Sequence, residues 1–171
     1  QTAMSDQYPV SRRDLIRSAA ALPAAPAVLA QSSAEGPYNN YFGDLHNHNE
    51  VGYATGTLER SFEIAREHLD FYAFTPHSYW PDVGTYDGKI EHKWRNGFHV
   101  ARARWPEVVE LARKFDMPGK FVTILGYERH GAAEGDYHIL FPDLKGDYEL
   151  IEDLKQLQAF AKKRGCILVP H

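Results

Sequence analysis

The chain is nearly devoid of cysteine: Cys166 is the one thiol among 171 residues. A lone thiol cannot close a disulfide within the chain, and its place in the apolar run CILVP reads as core rather than as a reactive site. An excess of positive charge is also missing, with 19 Lys and Arg against 23 Asp and Glu and a net charge of −4. A protein that neutralises a nucleic-acid backbone is normally basic, so that class is disfavoured. No apolar run approaches the roughly 20 residues that cross a bilayer. Repeats and heptads are absent, and low-complexity sequence is confined to residues 1–30. What is present, 43% hydrophobic, 13% aromatic and 25% charged residues, is the profile of one soluble globular domain.

The N-terminal region reads as a targeting segment. Ser11-Arg12-Arg13-Asp14-Leu15-Ile16-Arg17 precedes a small-residue, apolar stretch at 18–30 and then the polar Gln31-Ser32-Ser33. That order is the order of an export signal. The paired arginines ahead of Leu15-Ile16, and an Ala-rich core interrupted by Pro23 and Pro26, resemble a signal read by the twin-arginine export machinery. Val28-Leu29-Ala30 supplies a cleavage site, and about twelve moderately apolar residues are too few for an anchor. The expectation is a signal at 1–30, a linker at 31–40 and a periplasmic or secreted domain at 41–171. Residues 1–3 precede Met4 and are read as a cloning remnant or upstream translated sequence.

From residue 41 the pattern alternates between two periods. Residues 41–45, 71–75, 121–127 and 166–169 are short runs of aromatic and β-favouring residues, expected as strands, with 136–142 a candidate for one more. Helices are expected at 58–67, with Phe62, Ile64 and Ala65 on the apolar face, at 99–115 and at 150–163, the last stopped by Gly165. Alternating β and α units imply an α/β fold with a parallel sheet, open or closed into a barrel. Only four or five β units fit, whereas a closed (β/α) barrel takes about 200 residues or more. The chain is therefore expected to be the N-terminal part of a longer barrel, with His171 directly after a strand-like run.

Each strand-like run ends, on its carboxyl side, in a residue able to bind metal. FGDLHNH supplies His46 and His48, FYAFTPH supplies His77, FVTILGYERH supplies Glu128 and His130, and ILVPH supplies His171. In a parallel α/β sheet those ends lie on one face, where active sites are built. His46 and His48, like Glu128 and His130, are two residues apart, so in extended backbone each pair points the same way. Imidazole nitrogen and carboxylate oxygen suit zinc, iron or manganese. Six ligands exceed the needs of one tetrahedral ion and lead to two or three divalent metal ions, with Glu128 placed to bridge. Asp44 is read as the outer partner of a ligand imidazole. His138, in GDYHILF, is either a ligand or an ordinary strand residue, and His68, His92 and His99 are read as solvated surface.

The segments GDLHNHNE (43–50), LDFYAFTPHS (69–78), ILGYERH (124–130) and VPH (169–171) resemble, in this order, the PHP superfamily (polymerase and histidinol phosphatase), and within it an exported branch of metal-dependent hydrolases. The resemblance implies a distorted, TIM-like (β/α)7 barrel, here truncated, with a di- or trinuclear metal centre that hydrolyses phosphoester bonds. By motif, His46 and His48 match the opening H-x-H ligands, His77 the histidine of T-D-H, Glu128 the bridging glutamate, and His130 and His171 later histidine ligands. The chain departs from the pattern in two places: Thr75-Pro76-His77 stands where T-D-H is usual, and NEVGYATGT after His48 lacks the usual Ser-Asp or His, a role Glu50 would then take.

The implied reaction is attack on phosphorus or carbonyl by metal-activated water, with Glu128, His77 and Asp44 as the catalytic group. Ser78 lacks a nucleophile elbow, so acyl-enzyme chemistry is not expected. Residues 76–97, carrying Tyr79, Trp80, Tyr86 and Trp94, read as a lid, with Lys89, Lys93 and Arg95 as contacts to a phosphorylated or otherwise anionic small molecule. Two other readings stay open: a metal-dependent amide or lactone hydrolase, and an exported metal-binding module without turnover.

Overall fold

A computed structural model describes residues 39–52, 54–79, 85–86, 89–90, 92–146 and 148–171, with backbone alone at 79, 85–86, 89–90 and 92–99. The expected leader, and the linker up to residue 38, lie outside the described residues.

Strand β1 (Gly43–Asp44) leads through helix α1 (Leu58–His68) to β2 (Phe71–Phe74) and then to β3 (His77–Tyr79). A small hairpin of β4 (Thr85–Tyr86) and β5 (Lys89–Ile90) precedes the long helix α2 (His92–Phe115). Then come β6 (Val122–Arg129), β7 (Tyr137–Leu140), α3 (Leu154–Arg164) and β8 (Ile167–Pro170). The main sheet runs β1-β2-β6-β7-β8, with β3 paired to β6 beyond the end of β2. It curls into a half-barrel.

Local chemistry explains the boundaries. The Thr57 hydroxyl accepts from the Arg60 N–H and opens α1, and the Asp153 carboxylate accepts from the Gln156 N–H and opens α3. Gly165 closes α3 at φ 76°, a left-handed conformation that costs glycine little, as its position in the sequence predicts.

The apolar side chains fall on two faces. Phe62 of α1, Trp105, Val108 and Phe115 of α2 and Leu157 of α3 cover Tyr72, Phe74, Leu125, Tyr127 and Ile139 on the outer face. Full burial of side chains this size supplies ~1.5–3 kcal/mol each. The inner face carries a smaller cluster of Ala73, Val122, Ile124 and Leu140, flanked by Leu45, Phe71, Ile167 and Val169.

Several expectations are corrected. The sheet is mixed: β1, β2, β3 and β6 pair in parallel, but β6 with β7 and β7 with β8 pair antiparallel. A seven-residue link at 130–136 is too short for a crossover, so β7 must turn back along β6. Strand β1 has two residues rather than five. Helix α2 begins at His92, so the described residues of the expected lid at 76–97 fall mainly in β3, the β4–β5 hairpin and the start of α2. Helix α3 starts at its Asp153 cap, not at Leu150. Ile64 is 45% exposed, turned away from the face that Leu58, Phe62 and Ala65 bury. Cys166 packs, half-buried, against the core. Among the described residues, no helix is long and apolar enough to cross a membrane.

Candidate metal centre

Period-two alternation carries the inner face upward from apolar residues to ligands. On β6, Val122 and Ile124 are followed by Glu128 and then His130. On β8, Ile167 and Val169 are followed by His171; on β7, His138 precedes Leu140. Registers bring these positions level: His77 faces Glu128 across β3–β6, His138 faces Glu128 across β6–β7, and Val169 faces His138 across β7–β8. The turn of direction at β7 places its first residues at the carboxyl end of β6. Gly126 keeps this surface tight, since a Cβ there would lie 2.8 Å from both the Ile139 carbonyl and Leu140, and 3.2 Å from Thr75.

The His46–Asn47–His48 segment follows β1 and is pinned from its middle. The Tyr72 hydroxyl donates to Asn47 Oδ1 at 2.6 Å, and Asn47 Nδ2 donates to Asp44 Oδ2 at 3.2 Å. The Asn47 N–H donates to Thr75 Oγ1, and the Thr75 N–H donates to the Asn47 carbonyl, both at 3.1 Å. With Asn47 held against the sheet, the histidines on either side share the opposite face. Asp44 Oδ1 accepts from the backbone N–H of His46 at 2.8 Å. It thus shapes the loop through main chain and amide, not through an imidazole N–H as the sequence suggests.

Glu128, 1% exposed, stands at the centre. Its Oε2 lies 3.3 Å from His48 Nε2, 3.6 Å from His138 Nε2, 3.7 Å from His46 Nε2 and 3.8 Å from His77 Nδ1. Its Oε1 lies 3.4 Å from His171 Nδ1 and 3.8 Å from His130 Nδ1. Neither oxygen receives a hydrogen bond, and His48 Nδ1 and His138 Nε2 are likewise buried without one. The imidazoles crowd one another as well: His46 Nε2 is 2.7 Å from His48 Nε2, and His77 Nδ1 touches His130 Nε2.

These spacings discriminate between two kinds of cluster. Charge-assisted hydrogen bonds close to about 2.7–2.9 Å. Ligand atoms held about 2.0–2.2 Å from a zinc-sized ion at tetrahedral angles stand roughly 3.3–3.6 Å apart. The contacts of Glu128 fall in or just beyond the second range, and its orphaned oxygens are what a cation would satisfy. The residues present therefore fit divalent metal.

Protonation favours the same state. Burial pushes the Glu128 carboxyl up, but the surrounding imidazoles, His138 and His48 foremost, outweigh it and hold the group well below the ordinary carboxylate range. Burial, reinforced by His130 and His48, lowers His77 to about 3. Burial and then His138 lower His46. Anionic Glu128 and neutral His77 are the ligand forms that metal binding requires.

Three triads share Glu128, with ligand atoms within 4.8 Å of one another in each: His46 and His171, His48 and His77, and His130 and Asp136. The structure thus brings all six expected ligand residues, His46, His48, His77, Glu128, His130 and His171, to one place. Two more join them. His138, left undecided by sequence, faces Glu128, and Asp136 Oδ2 lies 3.1 Å from His130 Nδ1. Glu50 does not join: its carboxylate pairs with Arg104 at 2.9 Å. Ser78 donates its hydroxyl to the Glu128 carbonyl at 2.7 Å and is buried, which suits a backbone prop better than a nucleophile. Lys93 and Arg95 sit in the first turn of α2 and Lys89 in β5, but their side chains, with those of Tyr79, Tyr86, Trp94, His92 and His99, lie outside what the structure describes; so does Trp80 altogether. His68 is exposed at the end of α1, as expected.

Compared with protein-family models and with curated proteins, the chain has no match.

Proposed function

We propose that this chain carries the metal centre of a hydrolase, most specifically a phosphoesterase with two or three divalent ions of zinc, manganese or iron. One observation carries the reading: a buried carboxylate with both oxygens unbonded, ringed by six imidazole nitrogens at 3.3–3.8 Å. The ordered motifs that resemble the PHP superfamily support the reaction class, and the Arg12-Arg13 leader supports an exported protein.

The chain's own residues divide the work. Glu128, common to all three triads, would be the residue that links them when metal is bound. His77 is buried and His48 partly so, at 7% and 21% side-chain exposure, whereas His46 and His171 are more open, at 38% and 43%. The Asn47 network holds the H-x-H backbone still against the sheet. Divalent metal, when bound, supplies an acidified water and electrostatic stabilisation of the developing oxyanion.

The test is elemental analysis of the full chain purified without chelator, beside a His46→Ala/His48→Ala control, followed by a phosphoester, amide and lactone screen. Two or three metal equivalents lost in the control, with phosphoester turnover, establish the proposal. Metal without any turnover would make the chain a binding module, and folded protein without metal would end the reading.

A further inference from the structure

Arg129 lies between two residues of the metal centre yet points to the other side of β6, and it is 3% exposed. Burying a guanidinium is costly unless it is paired and hydrogen-bonded. Its partners are all in two segments. One nitrogen donates to Glu134 Oε2 at 3.0 Å and to the Glu152 carbonyl, and another reaches the Gly135 carbonyl at 3.5 Å. Nε is buried without a hydrogen bond. The cation thus gathers the turn between β6 and β7 and the segment ahead of α3.

That turn is built around the guanidinium. A Cβ at residue 131 would lie 2.6 Å from an Arg129 nitrogen, so Gly131 makes room for it. The Gly135 N–H donates to the Gly131 carbonyl at 2.8 Å and closes the loop, with Gly135 at φ +83°. The loop ends in Asp136, which closes on Gly131 and makes two connections to the centre. Its Oδ1 accepts from the Gly131 N–H at 2.9 Å, its Oδ2 is 3.1 Å from His130 Nδ1, and its carbonyl accepts from the His171 N–H at 2.9 Å.

We propose that Arg129 is a positioning residue: by clamping the 131–135 turn it sets Asp136, and through Asp136 it places His130 and His171 for metal. The proposal rests on the metal-centre reading. His48 and His77 are held by the Asn47 segment and by β3, outside this clamp, so the two halves of the centre respond differently to its loss.

The experiment is a titration of the full chain, stripped of metal, with Zn²⁺ followed by calorimetry and with Co²⁺ followed by its visible absorption, for wild type, Arg129→Met, Arg129→Lys and Glu134→Ala. Arg129→Met and Glu134→Ala are expected to weaken the equivalents that draw on His130 or His171 by about tenfold or more, the usual effect of losing a partner that orients a ligand. At least one equivalent, the one that draws on His48 and His77, keeps its wild-type affinity, and the Co²⁺ bands of the weakened equivalents shift or disappear. Arg129→Lys, which keeps the charge but spans fewer acceptors, recovers part of the loss. A merely structural role would weaken all equivalents together and overturns the proposal. So do folded variants that bind every equivalent as wild type does. If Arg129→Met does not fold, Glu134→Ala decides by the same criteria, because Glu134 lies at the surface. Wild type that takes up no metal defeats the underlying reading, a result distinct from wild type and variants loading alike.

Discussion

Glu128 Oε2 and His48 Nε2 stand 3.3 Å apart with no hydrogen bond between them, although the carboxylate is almost wholly buried. A separation too long for a charge-assisted bond and suited to two ligands of one ion makes Glu128 the residue on which every triad depends. Glu128→Gln is expected to reduce bound metal to one equivalent or less and to abolish hydrolysis. A ligand that binds only the folded state raises Tm, so Zn²⁺ should raise the melting temperature of the wild type well beyond that of the variant. Equal shifts in both proteins would remove Glu128 from the site.

The metal-free protein should lose stability in acid over a defined window. His77 titrates at about 3 in the fold against 6.5 when unperturbed. Between those values the unfolded chain takes up a proton that the folded chain refuses, so stability is full above about pH 6.5 and falls as pH drops toward 3. Glu128, held below the ordinary carboxylate range, contributes in the same direction below about pH 4.5. Urea midpoints of chelator-treated protein should hold from pH 7.5 to about 6.5 and then decline toward pH 4.5, more shallowly for His77→Gln. Matching slopes in the two proteins would show that His77 is not the group responsible.

The convergence of strand ends was legible because alternation is local: once β6 is a strand, Glu128 and His130 must share a face with Ile124, and His171 must share one with Val169. The direction of β7 was not legible. It depends on a turn whose glycines fit a buried arginine partnered by Glu134 and the Glu152 carbonyl, and such long-range pairing leaves no period in the sequence. In a parallel reading the start of β7 lies at the far end of the sheet from the carboxyl end of β6, which takes His138 and Asp136 away from Glu128. Gly131 and Gly135, six and two residues ahead of Tyr137, were the available hint of a hairpin. The early start of helix α2 was hidden for a related reason, since residues 92–97 are polar apart from Trp94 and include Gly97, too little apolar periodicity to mark a helix.

Tyr72→Phe removes one hydroxyl from a part-buried network. The lost partner is Asn47 Oδ1 at 2.6 Å, and an acceptor left unsatisfied there costs about 1 kcal/mol. Thermal denaturation of the metal-free variant should show that loss. Because Asn47 lies between His46 and His48, the variant should also bind Zn²⁺ more weakly, by about tenfold, as outer-shell losses do. A variant that loses stability but binds Zn²⁺ as wild type would show that Asn47 holds the sheet and not the ligands.

Glu50 supplies the complementary case, a carboxylate beside the H-x-H segment that the structure assigns elsewhere. It pairs with Arg104 at 2.9 Å, and Arg104 also holds Glu107 at 2.7 Å, with both glutamates more than 40% exposed. Exposed pairs of this kind contribute at most about 1 kcal/mol, and Arg104 keeps one partner when the other is removed. Glu50→Ala should therefore change stability by less than about 1 kcal/mol and leave both the number of metal equivalents and their affinities as in wild type. Loss of one equivalent in Glu50→Ala, read by elemental analysis, would instead mean that the Arg104 pair opens on metal binding and that Glu50 takes the ligand role its sequence position suggests.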